Sequence, residues 1–440
     1  MDDNYSKEVQ AILKKDKIEI GQRIAVQKGS ESYEGFLMPK SAGDANCIVL
    51  KMDNGYNIGI AIKGAKIKKL HEKRDVGNIK RELPKFDKNK PRVSLITTGG
   101  TITSRVDYKT GAVVSLMKPE ELLYNVPELA NIVNLDIISP FTKMSEDMAP
   151  DDWQKIAKIA ATELNKDNKG VIITHGTDTL HFTSAALSFM LPNLTKPVVL
   201  AGAQRSSDRG SADTSMNLIC SAYAAISDIA EVGICMHGSA NDDYCLFTRG
   251  TKVRKMHTSR RDAFRPINDM PIAKILPSGN IEIMNYYKKR SDGAVRADTA
   301  FEEKVALVKA YPGSDPDYLK FFVDNKYKGI VVEGTGLGHV PTSSKKSWIP
   351  AIKAAIKSGI PVVITSQTLY GRVNPNVYTN LRILFDTGAI PGEDMLPETA
   401  YIKLGWVLGH TKKPEEIRRL MLTNLVGEIS ERTDMRAFLN

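Results

Sequence analysis

From Pro91 onward, short apolar runs alternate with longer amphipathic stretches, and this alternation constrains the fold more than any other feature of the chain. The runs are Val93–Thr97, Asn134–Ile138, Val171–Thr174, Pro197–Ala201 and Val232–Met236, then Val305–Lys309, Gly329–Glu333 and Pro361–Thr365. Between them, 151–164, 183–191, 317–324 and 348–358 carry apolar residues at helical spacing, and 414–425 follows with proline at its start. Strands alternating with helices predict a mostly parallel sheet covered on both faces. Two runs break into glycine and hydroxyl residues: Leu95-Ile-Thr-Thr-Gly-Gly-Thr-Ile-Thr103 and Gly170-Val-Ile-Ile-Thr-His-Gly-Thr-Asp-Thr-Leu180. In such sheets these breaks fall at the carboxyl ends of strands, where ligands bind.

The first 85 residues read differently. After a helical lead, Tyr5 to Leu13, come strand-like runs at Gln22–Val26, Tyr33–Met38, Asn46–Met52 and Tyr56–Ile62, with the hairpin turn Asp53-Asn54-Gly55 between the last two. Their spacing predicts a small SH3-like β-barrel, a docking or positioning module. Residues 63–90 are charge-rich and read as a linker, and polar residues 288–298 divide the remainder. The expected domains are therefore 1–85, 91–295 and 303–440.

A chain of 440 residues with 42% hydrophobic content can fill several cores. Lys+Arg 61 against Asp+Glu 51 leaves a net charge of +10, which permits a polyanionic partner without requiring one. Cys47, Cys220, Cys235 and Cys245 lack metal-ligand spacing and read as reduced thiols. The acidic, polar start predicts no secretory signal, and no apolar run approaches the ~20 residues of a membrane span. The expectation is a cytoplasmic protein that does not engage membranes.

The two breaks supply Thr98, Thr101, Thr177 and Asp178, the raw material of acyl transfer by a hydroxyl nucleophile. Gly99 and Gly100 would let backbone approach a ligand and expose amides as oxyanion donors. Taken alone, the first break could equally be a tight turn and the second a helix N-cap. His175 is tempting as a general base but reads better as structural. No G-x-G-x-x-G follows the first strand and no Walker-type lysine appears, so nucleotide binding is disfavoured. A third segment, Phe247 to Phe264, holds Arg249, Lys252, Arg254, Lys255, Arg260 and Arg261 against the single acid Asp262. Most of these cations read as a solvated basic face. One lysine among them could act as a proton acceptor beside a carboxylate, and the residues alone do not choose it.

With these three segments, residues 91–440 resemble the L-asparaginase/glutaminase-type amidohydrolases, with Thr103 standing where Ala, Gly or Ser is usual. The resemblance implies a two-domain asparaginase-like α/β fold with parallel sheets behind the small β-barrel domain. It implies Thr98 as the nucleophilic threonine, with Thr101 and Tyr108 beside it, and Thr177, Asp178 and Lys255 as a second triad in which the lysine acts through the threonine. Which threonine is the primary nucleophile stays open. Ser145, Glu146, Gly99 and Gly176 fall where the substrate is held, and Asp147 could instead cap the helix after Pro150.

The resemblance extends beyond the hydrolase. Tyr33-Glu-Gly-Phe-Leu-Met-Pro39, Asp53 to Gly59, Gly202-Ala-Gln-Arg-Ser-Ser-Asp-Arg-Gly210, Arg254 to Phe264 and Ser366 to Asn374 are similar to the glutaminase subunits of archaeal tRNA-dependent amidotransferases. That resemblance implies hydrolysis of glutamine to supply ammonia to a partner, the amidotransferase E subunit, which converts Glu-tRNA(Gln) to Gln-tRNA(Gln). It implies no cofactor or metal in this chain, ATP and Mg on the partner, and a homodimer core within a heterotetramer. Gly388–Glu398, with Glu393 and Asp394, is the segment expected to reach a neighbour's site. A free-standing asparaginase or glutaminase with an accessory domain, and a non-catalytic tRNA-positioning protein, are the alternatives.

Overall fold

The computed structural model of the protein describes residues 5–38, 44–52, 57–73, 86–100, 102, 105–106, 113–114, 126, 128–205 and 212–438. The helix Lys7–Lys15 opens the chain, its first turn capped by the Ser6 hydroxyl, which accepts the Val9 amide at 3.3 Å. Five antiparallel strands follow: β1 (Gln22–Lys28), β2 (Glu31–Met38), β3 (Cys47–Lys51), β4 (Asn57–Ala61) and β5 (Ala65–Lys73), in the order β4-β3-β2-β1-β5. Ile24, Val26, Leu37, Ile48 and Leu50 bury their side chains against Val9 and Leu13 of the helix, giving this sheet a core of its own. Residues 53–56 of the expected hairpin turn lie outside the described set. β5 falls inside the stretch read as a linker. It lies at the sheet edge, where exposed Lys66, Lys68 and Lys69 discourage further strand pairing, and these lysines hid its alternation.

The second sheet has eight strands: β6 (Arg92–Thr97), β9 (Asn134–Ile138), β10 (Val171–Thr174), β11 (Val198–Ala201), β12 (Val232–His237), β13 (Cys245–Arg249), β16 (Ala273–Ile275) and β17 (Ile281–Ile283). Their order is β17-β16-β13-β12-β11-β10-β6-β9. The five strands from β12 to β9 are parallel and the other three continue the sheet antiparallel. Two short hairpins stand apart from it, β7 (Arg105–Val106) with β8 (Val113–Val114), and β14 (Val253–Lys255) with β15 (Phe264–Pro266). Helices Pro150–Leu164 and Leu180–Met190 cover one face and Thr214–Ile226 the other, as the two separate apolar clusters show. The register is the important detail. Thr97 pairs with Thr174, and Thr174 with Ala201, so three strands end in one row.

The second domain is a four-stranded parallel sheet, β18 (Val305–Lys309), β19 (Gly329–Gly334), β20 (Val362–Ser366) and β21 (Ile390–Pro391), flanked by helices. The helix Pro397–His410 joins the two domains. Its Ile402 belongs to the core of the first, and its Ala400, Leu404, Val407 and Leu408 to that of the second. Apolar on nearly every side, it has no polar stripe to announce a helix in the sequence. The same holds for Thr214–Ile226. Among the described residues no helix is long and apolar enough to cross a membrane.

Lys403 of the joining helix is fully buried and paired at 2.6 Å with the equally buried Glu428. Lys403 also donates to the carbonyls of Met421 and Thr423, while Glu428 accepts the amides of Leu425 and Val426. Glu428→Ala strands an uncompensated ammonium and should cost about 3–5 kcal/mol. Lys403→Met with Glu428→Leu should recover part of that loss, the two amides still lacking an acceptor; thermal unfolding of the full chain measures both.

Candidate active site

The row formed by Thr97, Thr174 and Ala201 launches three loops side by side. Thr98 comes first on one of them. Its amide and its hydroxyl both donate to Thr174 O, at 3.0 and 2.9 Å, and its side chain is buried. The next residues interlock with their neighbours at backbone distance. Gly99 has φ +110°, and a Cβ there would fall 2.4 Å from Lys143 O; Gly100 has φ +81°, and its Cβ would fall 2.4 Å from Gly176 Cα. Gly176 in turn leaves no space for a Cβ against Ser145. These glycines therefore serve close approach between chain segments, as the sequence suggests for the first pair.

The second loop carries Thr177 and Asp178, and the β14–β15 hairpin brings Lys255 to them. Lys255 Nζ donates to Thr177 Oγ1 at 2.8 Å and to Asp178 Oδ1 at 2.7 Å. The lysine side chain is 10% exposed, the aspartate 67%. The ammonium thus bridges an exposed carboxylate and a buried hydroxyl, which suits passing a proton inward from the solvent side. Of the basic run, Lys255 is the member that reaches the second break. A solvated basic face forms only in part: Arg260 is exposed, and the others are buried or half-buried against acids. Arg249 is buried between Glu231 and Asp269, Lys252 is buried against Asp394, and Arg254 pairs with Glu398. Arg260 and Arg265 share Asp262, and Arg261 takes Asp242. The run looked unbalanced because its acids come from distant parts of the chain.

Ser145 and Glu146 lie on one short 3-10 turn, Ser145–Asp147, beside Gly176. Ser145 is buried and its carbonyl accepts the Thr179 hydroxyl at 2.6 Å; Glu146 is exposed. Asp152, rather than Asp147, caps the following helix by accepting the Ala149 amide, and both its oxygens take Lys143 Nζ at 2.7 Å. Thr101 and Tyr108 lie outside the described residues. Asp394 is buried against Lys252, and Glu393 lies 3.6 Å from Arg372.

One residue beside the triad was missed. The Thr177 hydroxyl is directed at Gln204 Oε1, 3.4 Å away, and buried Asp213 holds that third loop by accepting the amides of Gln204 and Arg205. Gly202 packs directly against Thr177. The signal was available: Gly202-Ala-Gln204 follows an apolar strand as the other two breaks do.

His175 is structural. Its Nδ1 lies 2.6 Å from Gly176 O and so carries the proton, leaving Nε2 to accept the Thr183 hydroxyl at 2.9 Å; that hydroxyl accepts Trp153 Nε1–H at 3.1 Å. Burial holds the ring neutral, its pKa lowered from 6.5 to about 4. His181, buried nearby, falls to about 3 through burial and then through the positive charges of Arg254 and Lys255. As pH falls below 6.5 the unfolded chain protonates both rings while the folded protein does not, so stability is lost on acidification through that window. His175→Gln should remove on the order of 3 kcal/mol of this pH dependence between pH 6.5 and 4; unfolding free energies measured across that range provide the check.

Comparison with known proteins identifies the family to which the fold belongs. Residues 92–289 match the family described as "Asparaginase, N-terminal", residues 304–421 the "Glutaminase/Asparaginase C-terminal domain", and residues 18–70 the "GatD N-terminal domain". The chain is 54% identical over 424 residues to the D subunit of glutamyl-tRNA(Gln) amidotransferase from Thermococcus kodakarensis, covering 95% of each. It is 53% identical to that of Pyrococcus furiosus, covering 98% of this chain and 99% of the relative. Among solved structures it resembles the thermostable L-asparaginase of Thermococcus kodakarensis (TM-score 0.70, 29% identity, 78% of this chain and all of that one). L-asparaginase I of Vibrio cholerae is similar at TM-score 0.67 and 29% identity, over 78% of this chain and 99% of that one. The chain belongs to the asparaginase family and, within it, to the glutamyl-tRNA(Gln) amidotransferase D subunits.

Proposed function

We propose that this protein is the glutaminase subunit of a tRNA-dependent amidotransferase. The observation that carries the reading is Lys255, held within 2.8 Å of Thr177 Oγ1 and 2.7 Å of Asp178 Oδ1 next to the strand end bearing Thr98. Thr98 Oγ, which must turn away from Thr174 O to do so, attacks the side-chain carbonyl carbon of glutamine. Thr101 and Tyr108 help to position or deprotonate it, and Ser145, Glu146, Gly99 and Gly176 hold the substrate. Backbone amides near Gly99 and Thr177 stabilise the oxyanion, a donor of that kind being worth ~10²–10³ in rate. As the tetrahedral intermediate collapses the C–N bond breaks, and the leaving nitrogen takes the proton that Lys255 passes through Thr177 and departs as ammonia, while Asp178 orients the lysine. Water then releases glutamate from Thr98.

The ammonia goes to the E subunit, which with ATP and Mg amidates Glu-tRNA(Gln); two copies of this chain form the core of a cytoplasmic heterotetramer. Glutamine and asparagine differ by one methylene, worth ~1–3 kcal/mol in a pocket. Substrate choice is therefore tested by ammonia release from each, with and without partner and charged tRNA. The isolated chain should be a poor glutaminase, stimulated by partner and Glu-tRNA. Full activity of the chain alone argues for a free-standing hydrolase instead.

Lys255→Ala and Thr98→Ala should each reduce glutamine hydrolysis by orders of magnitude, while the assembled complex still amidates Glu-tRNA from free ammonium. Asp178→Ala combined with Lys255→Ala should do little more harm than Lys255→Ala alone, as expected of groups acting as one unit. Loss of the ammonium-driven reaction in Lys255→Ala would show the lysine to be structural or tRNA-binding.

A further inference from the structure

Lys255 ends a strand that pairs with β15 in its own domain and is also anchored by the other domain. Thr251 O accepts the Thr399 hydroxyl at 3.0 Å, and Lys252 Nζ donates to Asp394 Oδ2 at 2.7 Å. Val253 sits in the apolar cluster that includes Ile402, and Arg254 Nη2 meets Glu398 Oε1 at 2.9 Å. Thr251, Lys252 and Arg254 are thus each bonded to the segment 394–399, while Val253 packs in the core of the first domain. The paired strand is held in the same way: Asn268, two residues past β15, donates to Asp394 O, Leu369 O and Gly371 O. Beyond Lys255 the contacts with the second domain stop; Met256 N still donates to Ala263 O across the hairpin, and residues 256–260 are exposed. The lysine therefore stands at the end of a strand held by β15, where it pairs with Phe264, and, just before it, by the second domain.

The nearest of these holds, like the one at Lys252, is an ion pair. Glu398, at the first turn of the helix Pro397–His410, is buried, and its Oε2 has no hydrogen-bond partner. Burial raises its pKa and the Arg254 guanidinium opposes that shift. A buried carboxylate against the residue next to Lys255 fixes the direction in which the strand leaves the domain boundary.

We propose that the second domain sets the position of Lys255 on Thr177 through Glu398, Thr399 and Asp394, and that Arg254 and Glu398 are positioning residues for amide hydrolysis. This rests on the reading of Lys255 as the proton relay. A shift of the strand by a fraction of an ångström lengthens the Lys255–Thr177 hydrogen bond without altering the groups that bind substrate. The effect therefore falls on kcat and leaves KM in place.

The test uses the full chain in the reconstituted amidotransferase, assayed for ammonia release from glutamine, with thermal unfolding measured alongside. Glu398→Gln and Arg254→Met should each lower kcat about tenfold with KM held within about twofold. The double variant should fall no further than either single one, because both act through one contact. Thr399→Val, which removes only the hydroxyl on Thr251 O, should give a smaller kcat loss and serves if Glu398→Gln does not fold. Unchanged kcat in the folded variants, a raised KM at unchanged kcat, or losses that multiply in the double variant would each overturn the proposal. Lys255→Ala is measured in parallel. If it retains hydrolysis, the relay reading itself fails and the positioning role falls with it; if it is inactive while Glu398→Gln is fully active, the positioning role alone is wrong.

Discussion

The parallel pairing that sets Thr97 beside Thr174, and Thr174 beside Ala201, decides where everything else in the first domain can go. Because three strands stop at one level, their loops emerge side by side into a space too narrow for side chains. Gly99, Gly100, Gly176 and Gly202 meet backbone, Ser145 or Thr177 at distances that exclude a Cβ. The hydroxyls of Thr98 and Thr177 are held at strand ends by main-chain packing, which is stiffer than any arrangement of flexible side chains. The Trp153–Thr183–His175 chain of hydrogen bonds braces the second loop from beneath, so a histidine that invites a catalytic reading instead supports the residues beside it.

The sequence revealed most where periodicity was unambiguous. The parallel strands and the amphipathic helices Pro150–Leu164 and Asp317–Asp324 were legible because one face of each helix is apolar and the strands are continuous buried runs. The helix Pro397–His410 was not, since burial on most sides erases the contrast on which a helical pattern depends. β5 was hidden for the opposite reason, its exposed lysines resembling a solvated linker. At the site, residues close in sequence to a strand end could be named in advance, but the selection of Lys255 came from resemblance. Spacing alone gave six cations in one stretch, and only tertiary pairing with Asp394, Glu231, Asp269, Glu398, Asp262 and Asp242 shows which of them is left to meet Thr177.

That pairing also explains how a chain with a surplus of positive charge keeps several ions inside. Lys252 is drawn below its ordinary pKa by burial, and Asp394 opposes the shift; Lys403 and Glu428 repeat the arrangement in the second domain. Such pairs contribute little net stability over well-packed apolar residues, but they penalise any packing that separates the partners. Here the partners stand about 25 to 142 positions apart in sequence, so the penalty falls on misassembly of the two domains and of the tail behind the joining helix.

The joining helix itself has a consequence for how the molecule comes apart. Its side chains fill two cores at once, and the polar segment between the domains is tied back to the first of them: Val295 exchanges both backbone bonds with Asn165, and Asp298 meets Met190 O and His410. Neither half can melt without exposing apolar surface on the other, so the two behave as one cooperative unit despite having separate sheets. A protease that nicks the covalent connection would leave the fragments joined, and the cut would go unseen by size until denaturant was added.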